Sequence, residues 1–175
     1  ADVYKRQEHI QAGVENDSLI GNIDIASTLI EVAGGNAPPD MVQDGRSFTS
    51  QLFGQPEPKD WRTHMLIEAG NSRAIVTRDW KYIANRVPPE IEAKMTARPG
   101  EVFWTGVDHH NYQTEEMYPA YWDANQLYDL NKDLYKQQNL AENPEYRAQL
   151  ERMQQGLEGV VSDLPHTFGE FGSSQ

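Results

Sequence analysis

Asn22-Ile23-Asp24-Ile25-Ala26-Ser27-Thr28-Leu29-Ile30-Glu31-Val32-Ala33-Gly34 is the stretch on which the reading of this chain turns. No proline interrupts it, Asp24 is placed to cap the first amides and Gly34 to close the last turn in a left-handed conformation, so it predicts a short helix. Ile23, Ala26, Ile30 and Ala33 lie along one side at helical spacing, and Ile25, Leu29 and Val32 along another. A helix apolar on so many sides is expected to be buried over most of its surface. It needs cover on two sides, and the residues after it can supply only one.

Working outward, 175 residues with 38% hydrophobic content are enough for one ordinary domain. Twenty-seven acidic against fifteen basic residues give a formal charge of -12, with no lysine-arginine cluster, which argues against a nucleic-acid partner. The absence of cysteine excludes disulfides, thiolate metal sites and a cysteine nucleophile. No apolar run reaches the roughly 20 residues of a membrane helix, and no signal-like segment stands at the start. The first residue is not methionine, and Asp2 to Gln7 resembles the translation of a transposase end sequence used in preparing sequencing libraries. Residues 1–7 are therefore set apart, Tyr4, Lys5 and Arg6 receive no function, and the reading frame is expected to be cut upstream.

Residues 8–54 lead into the helix, pass through Ala37-Pro38-Pro39-Asp40 and the turn Gln43-Asp44-Gly45, and end in one or two helical turns from Phe48 to Phe53, capped by Ser47 and closed by Gly54. Gln55-Pro56-Glu57-Pro58-Lys59-Asp60 reads as an exposed linker over 55–62. The period then changes from helix to strand. Met65 to Ala69, Arg73 to Thr77 and Trp80 to Ala84 predict an antiparallel meander turning at Gly70-Asn71-Ser72, with Gln126 to Leu130 as a fourth strand. Between them, Val87 to Asp123 is irregular apart from a helical turn at Glu90 to Met95. Asn143 and Pro144 start a last helix whose Tyr146, Leu150, Met153, Leu157 and Val160/Val161 form one stripe able to cover one face of the meander. Residues 63–165 thus form an α+β unit, a small four-stranded antiparallel sheet packed by a C-terminal helix, and 166–175 are expected to be frayed.

Three segments carry a resemblance. Asp24 to Gly34 followed by Asp44-Gly45-Arg46-Ser47-Phe48 resembles the Asp-x-x-Pro-Thr-Leu-Leu-x-x-Ala-Gly helix and Asp-Gly-x-Ser-Leu turn of the formylglycine-dependent sulfatases, with Ser27 at the proline. Arg73 to Ile83 is similar to that family's Arg-x-Val-Arg-x-x-x-Trp-Lys-Tyr-Ile hairpin. Gln126 to Asp133, with Gln137-Gln138-Asn139-Leu140-Ala141, resembles its Glu-Leu-Tyr-Asp-Leu-x-x-Asp-Pro-x-Glu-x-x-Asn-Leu ending, Leu134 standing for the proline and Gln137 for the glutamate. The order and spacing of the three match the C-terminal part of a sulfatase in the alkaline-phosphatase-like superfamily.

The resemblance implies a sulfuric ester hydrolase whose formylglycine nucleophile attacks sulfur beside a calcium ion, with a sulfated carbohydrate as substrate and a periplasmic or secreted location. It also implies that the nucleophile motif, Cys/Ser-x-Pro/Ala-x-Arg, and the metal ligands precede this segment. The chain holds no match to that motif. No catalytic residue and no metal ligand are therefore assigned to it. A missing N-terminal catalytic domain is the expected partner, and residues 8–54 are read as the tail of that α/β domain.

Asp108-His109-His110 is the densest titratable run, but neighbours in an extended segment point to opposite faces, and exposed loop histidines are the plainer reading. Phe103, Trp104, Tyr112, Tyr118, Tyr121 and Trp122 gather near them. Such rings suit sugar faces, and equally suit pinning a loop to the protein body. Trp104, His109 and Trp122, with Asn71 and Arg73 at the hairpin, form the candidate substrate-binding set; for Arg73 the alternative is a solvated structural role. Two further readings stay open: a non-catalytic carbohydrate-binding or interaction module, and a phosphodiesterase or phosphonate hydrolase of the same superfamily.

Overall fold

A computed structural model describes residues 10, 13–97, 102–104, 107–109, 118–165 and 168–171, and the chain divides into two compact units, Ala1–Thr63 and His64–Gln175.

In the first unit, helix α1 spans Asp24–Val32. It ends as its glycines dictate: Gly34 takes a φ of 73°, and the amides of Gly34 and Gly35 return to the carbonyls of Glu31 and Ile30, a Schellman closure. Its start differs from expectation. Ile23, already helical, holds the cap position without a side-chain bond, and Asp24 lies inside the first turn. The Asp24 carboxylate instead turns back to accept from the amides of Gly21 and Arg46, each at 2.8 Å, and from both terminal nitrogens of Arg62. Thr28, one turn on, donates to the Asp24 carbonyl and accepts from the amide of Phe48. Ser27, at the position of the family's proline, donates to Gln43 Oε1 and the Gly45 carbonyl. A side chain at Gly45 would overlap the Ile23 carbonyl, so only glycine lets this turn lie against the helix start.

These bonds bury the polar side of α1, Asp24 and Thr28, and leave apolar Ile25 and Leu29 50% and 62% exposed. One apolar side of the helix is thus left without cover among the described residues, as expected of a chain able to cover only one side of it. Helix α2, Thr49–Leu52, is one turn closed by Gly54 at φ 71°. The stretch read as linker belongs to this unit at its end, since Trp61 is buried with its indole N–H on the Leu19 carbonyl and Arg62 holds Asp24.

The second unit is built on a four-stranded antiparallel sheet of β1 (Met65–Ala69), β2 (Ser72–Val76), β3 (Trp80–Asn85) and β6 (Asn125–Asp129), in that order. The register sets Leu66, Ile75, Tyr82 and Leu127 in one row across it. Opposed residues of a ladder share a face. That face is covered by α4, Arg147–Val161, through Met153, Leu157 and Val161, with Tyr146, Leu150 and Val160 at its margins. The close approach has a sequence cause: at Gly156 a Cβ would stand 3.0 Å from Ile75 Cδ1. Asn143 accepts from the Glu145 amide, with Pro144 opening a 3₁₀ turn that runs into α4.

Between β3 and β6 lie α3 (Pro89–Ala97) and a two-stranded ladder of β4 (Val102–Trp104) and β5 (Val107–His109). Three-residue strands carry too little alternation to be read from sequence. Asn139 seals the outer edge of β6: its Oδ1 accepts from the amides of Leu127 and Ala141, and its Nδ2 donates to Asp123 Oδ2 and the Asn125 carbonyl. The asparagine of the family-like ending is thus a backbone staple. In the tail, expected to fray, Phe168–Phe171 instead fold back as a paired bridge with Phe171 buried.

Candidate functional site

The richest polar constellation stands at the end of the sheet where β1 turns into β2, and it begins from the cross-strand pair Glu68 and Arg73. Gly70, at φ 52°, and Asn71 make the two-residue turn. The Arg73 guanidinium forms an ion pair with Glu68, donates to the carbonyls of Gly70 (3.1 Å) and Ser72 (3.0 Å), and lies 4.9 Å over the Phe168 ring. Arg86 follows β3. Its amide donates to the Asn71 carbonyl, its guanidinium binds the Glu170 carboxylate, the Ala124 carbonyl and Asn125 Oδ1, and its plane lies 5.4 Å from the Phe171 centroid. Tyr82 donates its hydroxyl to the same Asn125 Oδ1 at 2.7 Å and accepts from Gln154 at 3.4 Å.

The electrostatics follow from these pairings. The hydrogen bond from Arg86 holds Glu170 below the ordinary glutamate value, and the same bond raises Arg86. Burial pushes the Tyr82 phenol up, and burial, with Asp123 and Asp133 nearby, pushes Tyr128 up to about 12. Both arginines already hold a carboxylate of the chain itself, so the constellation clamps the tail to the sheet through charge and aromatic stacking.

Asn71 and Arg73 therefore stand together, beside Arg86 and the tail. Trp104 and His109 are placed by backbone only: Trp104 opposes Val107 and His109 opposes Val102, at opposite ends of the β4–β5 ladder. Trp122 lies in the turn before β6, half-buried, edge-to-face with Tyr121 at 4.8 Å. His110 and Tyr112 fall outside the described residues. Sequence reasoning missed Arg86, Phe168, Glu170 and Phe171. The signal available for them was Phe168-Gly169-Glu170-Phe171, two aromatics bracketing a turn glycine, which now takes a φ of 56°. Among the described residues, no three of His, Asp and Glu come together as a metal site. No described helix is long and apolar enough to cross a membrane.

No protein-family model matches the chain. It is 33% identical over 155 residues to the ulvan-active sulfatase of Formosa agariphila, an alignment taking in 82% of this chain and 29% of that protein. The chain thus spans under a third of the length of the curated relative it matches. Among solved structures it is similar to BT4656 in complex with its substrate D-glucosamine-2-N,6-O-disulfate, at a TM-score of 0.57 and 21% identity over 87% of this chain and 26% of that one. It is also similar to BT1596, a 2-O GAG sulfatase, at a TM-score of 0.52 and 18% identity over 79% and 24% of the two chains. At these identities the two structures establish the shared fold.

Proposed function

We propose that this chain is a segment of a sulfatase, that the protein it comes from is a sulfuric ester hydrolase acting on sulfated carbohydrate, and that this segment is its non-catalytic C-terminal part. The observation that carries the reading is the 33% identity to the ulvan-active sulfatase across most of the chain. The residues present do not fit the family's formylglycine or its calcium ion: there is no cysteine, no serine in the modifiable motif, and no clustered metal donors among the described residues. Nucleophile and calcium therefore belong to another part of the protein, and no chemical step is assigned to residues here.

The contribution of this segment is structural. It offers the exposed apolar side of α1, Ile25 and Leu29, for a covering domain, and it presents the β1–β2 hairpin, the β4–β5 ladder and Trp122 as the candidate border of a substrate cleft. A sulfated polysaccharide also implies export to the periplasm or the exterior. The test is sulfate release from a sulfated polysaccharide, followed by ion chromatography. This chain alone should release none with or without calcium, whereas the longer product read upstream in the source DNA should release it. Metal-dependent turnover by the clean short chain, or an inactive longer product carrying the nucleophile motif, would overturn the reading.

A further inference from the structure

The turn that follows β6 carries two large side chains out into solvent. Leu134 is 65% and its neighbour Tyr135 75% exposed. The frame beneath them is well bonded. The Lys136 amide donates to the Asp133 carbonyl at 3.1 Å, and the Asp133 carboxylate accepts from the amides of Gln138, Gln137 and Lys136. Gln137 Nε2 donates to the Tyr135 carbonyl at 3.0 Å. Lys136 closes the turn at a φ of 59°, and it is the one non-glycine residue with a left-handed backbone among the described residues.

Turn formation does not account for this tip. The family-like ending has proline where Leu134 stands, and proline presets the backbone at that position of a turn. This chain gives up that help and instead presents an aliphatic and an aromatic side chain on a frame that includes a strained lysine. The charges around the tip are sorted. The Asp133 carboxylate is engaged by amides, the Asp129 side chain is buried, and exposed Asp79 is held by Asn131 Nδ2 at 2.9 Å. The ammoniums are less fully engaged. Lys132, with 72% of its side chain exposed, pairs with Asp129 at 3.0 Å and bonds Tyr146, and Lys136 donates to the Leu134 carbonyl at 3.1 Å. An ammonium has three donors, so each lysine keeps at least one for a ligand. An exposed aromatic ring flanked by two lysines suits a sugar that bears anionic groups, since the ring accepts the apolar face and the ammoniums make charge-assisted bonds to sulfate or carboxylate.

We propose that the Leu134–Tyr135 tip is a contact for the sulfated polysaccharide, with the Tyr135 ring on the face of one sugar and the Lys132 and Lys136 ammoniums on its sulfate or carboxylate groups. The occupant is argued from the exposed ring and from charge complementarity. The inference deepens the sulfatase reading and rests on it.

Electrophoresis of this chain through native gels holding chondroitin sulfate or dextran sulfate, against desulfated chondroitin and plain dextran, tests it. At least one sulfated polymer should retard the chain. Tyr135→Ala should weaken that binding several-fold without changing the melting temperature, Tyr135→Phe should keep it, and Lys136→Gln should reduce the preference for the sulfated polymer over its unsulfated form. Retardation by neither polymer, or retardation that Tyr135→Ala leaves unchanged, would overturn the proposal. Tyr135-dependent sedimentation with phosphatidylglycerol vesicles, or Tyr135-dependent self-association, would assign the tip to a lipid surface or a second copy and overturn it as well. In the longer product from the source DNA, Tyr135→Ala should raise KM several-fold for the polysaccharide and leave kcat, and the turnover of a small aryl sulfate, unchanged. A longer product that releases sulfate with a KM indifferent to Tyr135 refutes the contact alone. One that binds the polysaccharide through Tyr135 but releases no sulfate refutes the functional reading.

Discussion

Arg62 places its two terminal nitrogens 2.6 and 2.7 Å from the two oxygens of Asp24, a carboxylate with no exposure to solvent. The pair joins the end of the first unit to the start of α1 across 38 residues of chain. Removing one partner strands a buried charge, so Arg62→Met should destabilise the first unit by about 3–5 kcal/mol. Trp61 is the one tryptophan of that unit, and its fluorescence in a urea titration reads the loss. The double variant Asp24→Asn, Arg62→Met should cost less than Arg62→Met alone.

The same carboxylate makes the first unit acid-labile. Burial alone would raise Asp24, but the bonds from Arg62, Gly21 and Arg46 outweigh it and hold it below the ordinary aspartate value. The unfolded chain then takes up a proton more readily than the folded one. The stabilisation is complete above the ordinary value, about 3.9, and is lost as pH falls through the folded value. The Trp61 signal should report unfolding as pH drops below about 4, and Asp24→Asn should flatten that acid limb while lowering stability at neutral pH.

Asn139 satisfies four partners at the edge of β6, two as acceptor and two as donor. Asn139→Ala leaves the Leu127 amide unpaired in a buried strand, and should cost the second unit about 1–3 kcal/mol. Asn139→Asp keeps the acceptor for that amide but sets a second carboxylate against Asp123 and the Asn125 carbonyl, so it should recover little of the loss. Hydrogen exchange at the Leu127 amide distinguishes the two.

Phe171 is buried and Arg86 spans its ring and the Glu170 carboxylate, so the tail contributes to the sheet unit. Phe171→Ala should lower stability by about 3 kcal/mol, at the lower end of buried aromatic truncations. Glu170→Gln should cost well under that, because the carboxylate is 59% exposed and its ion pair is screened. Thermal melts of the two variants give the ordering, and equal losses would refute the clamp.

Much of the fold was legible because its signals are local. The alternation of Trp80, Tyr82 and Ala84, the turn at Gly70-Asn71, the Asn143-Pro144 start and the stripe from Tyr146 to Val161 each reflect a short-range preference, and the four strands and α4 stand where those preferences put them. The candidate site was less legible. Asn71 and Arg73 lie beside Arg86, Glu170 and Phe171 through contacts spanning up to 84 residues, and no local pattern encodes such a pairing. Asp24 makes the same point: its spacing reads as a helix cap, whereas its partners are set by Arg46 and Arg62.

The residues alone determined the periodicities, the glycine closures at Gly34 and Gly54, the sheet's strand content and the three ordered segments that mark the family, because backbone preference and side-chain period act over a few neighbours. Tertiary structure decided which charges are compensated. It closed Asp24 with Arg62 and Glu170 with Arg86, and left Ile25 and Leu29 uncovered, because the worth of a charge or an apolar side chain depends on how much water its neighbours exclude.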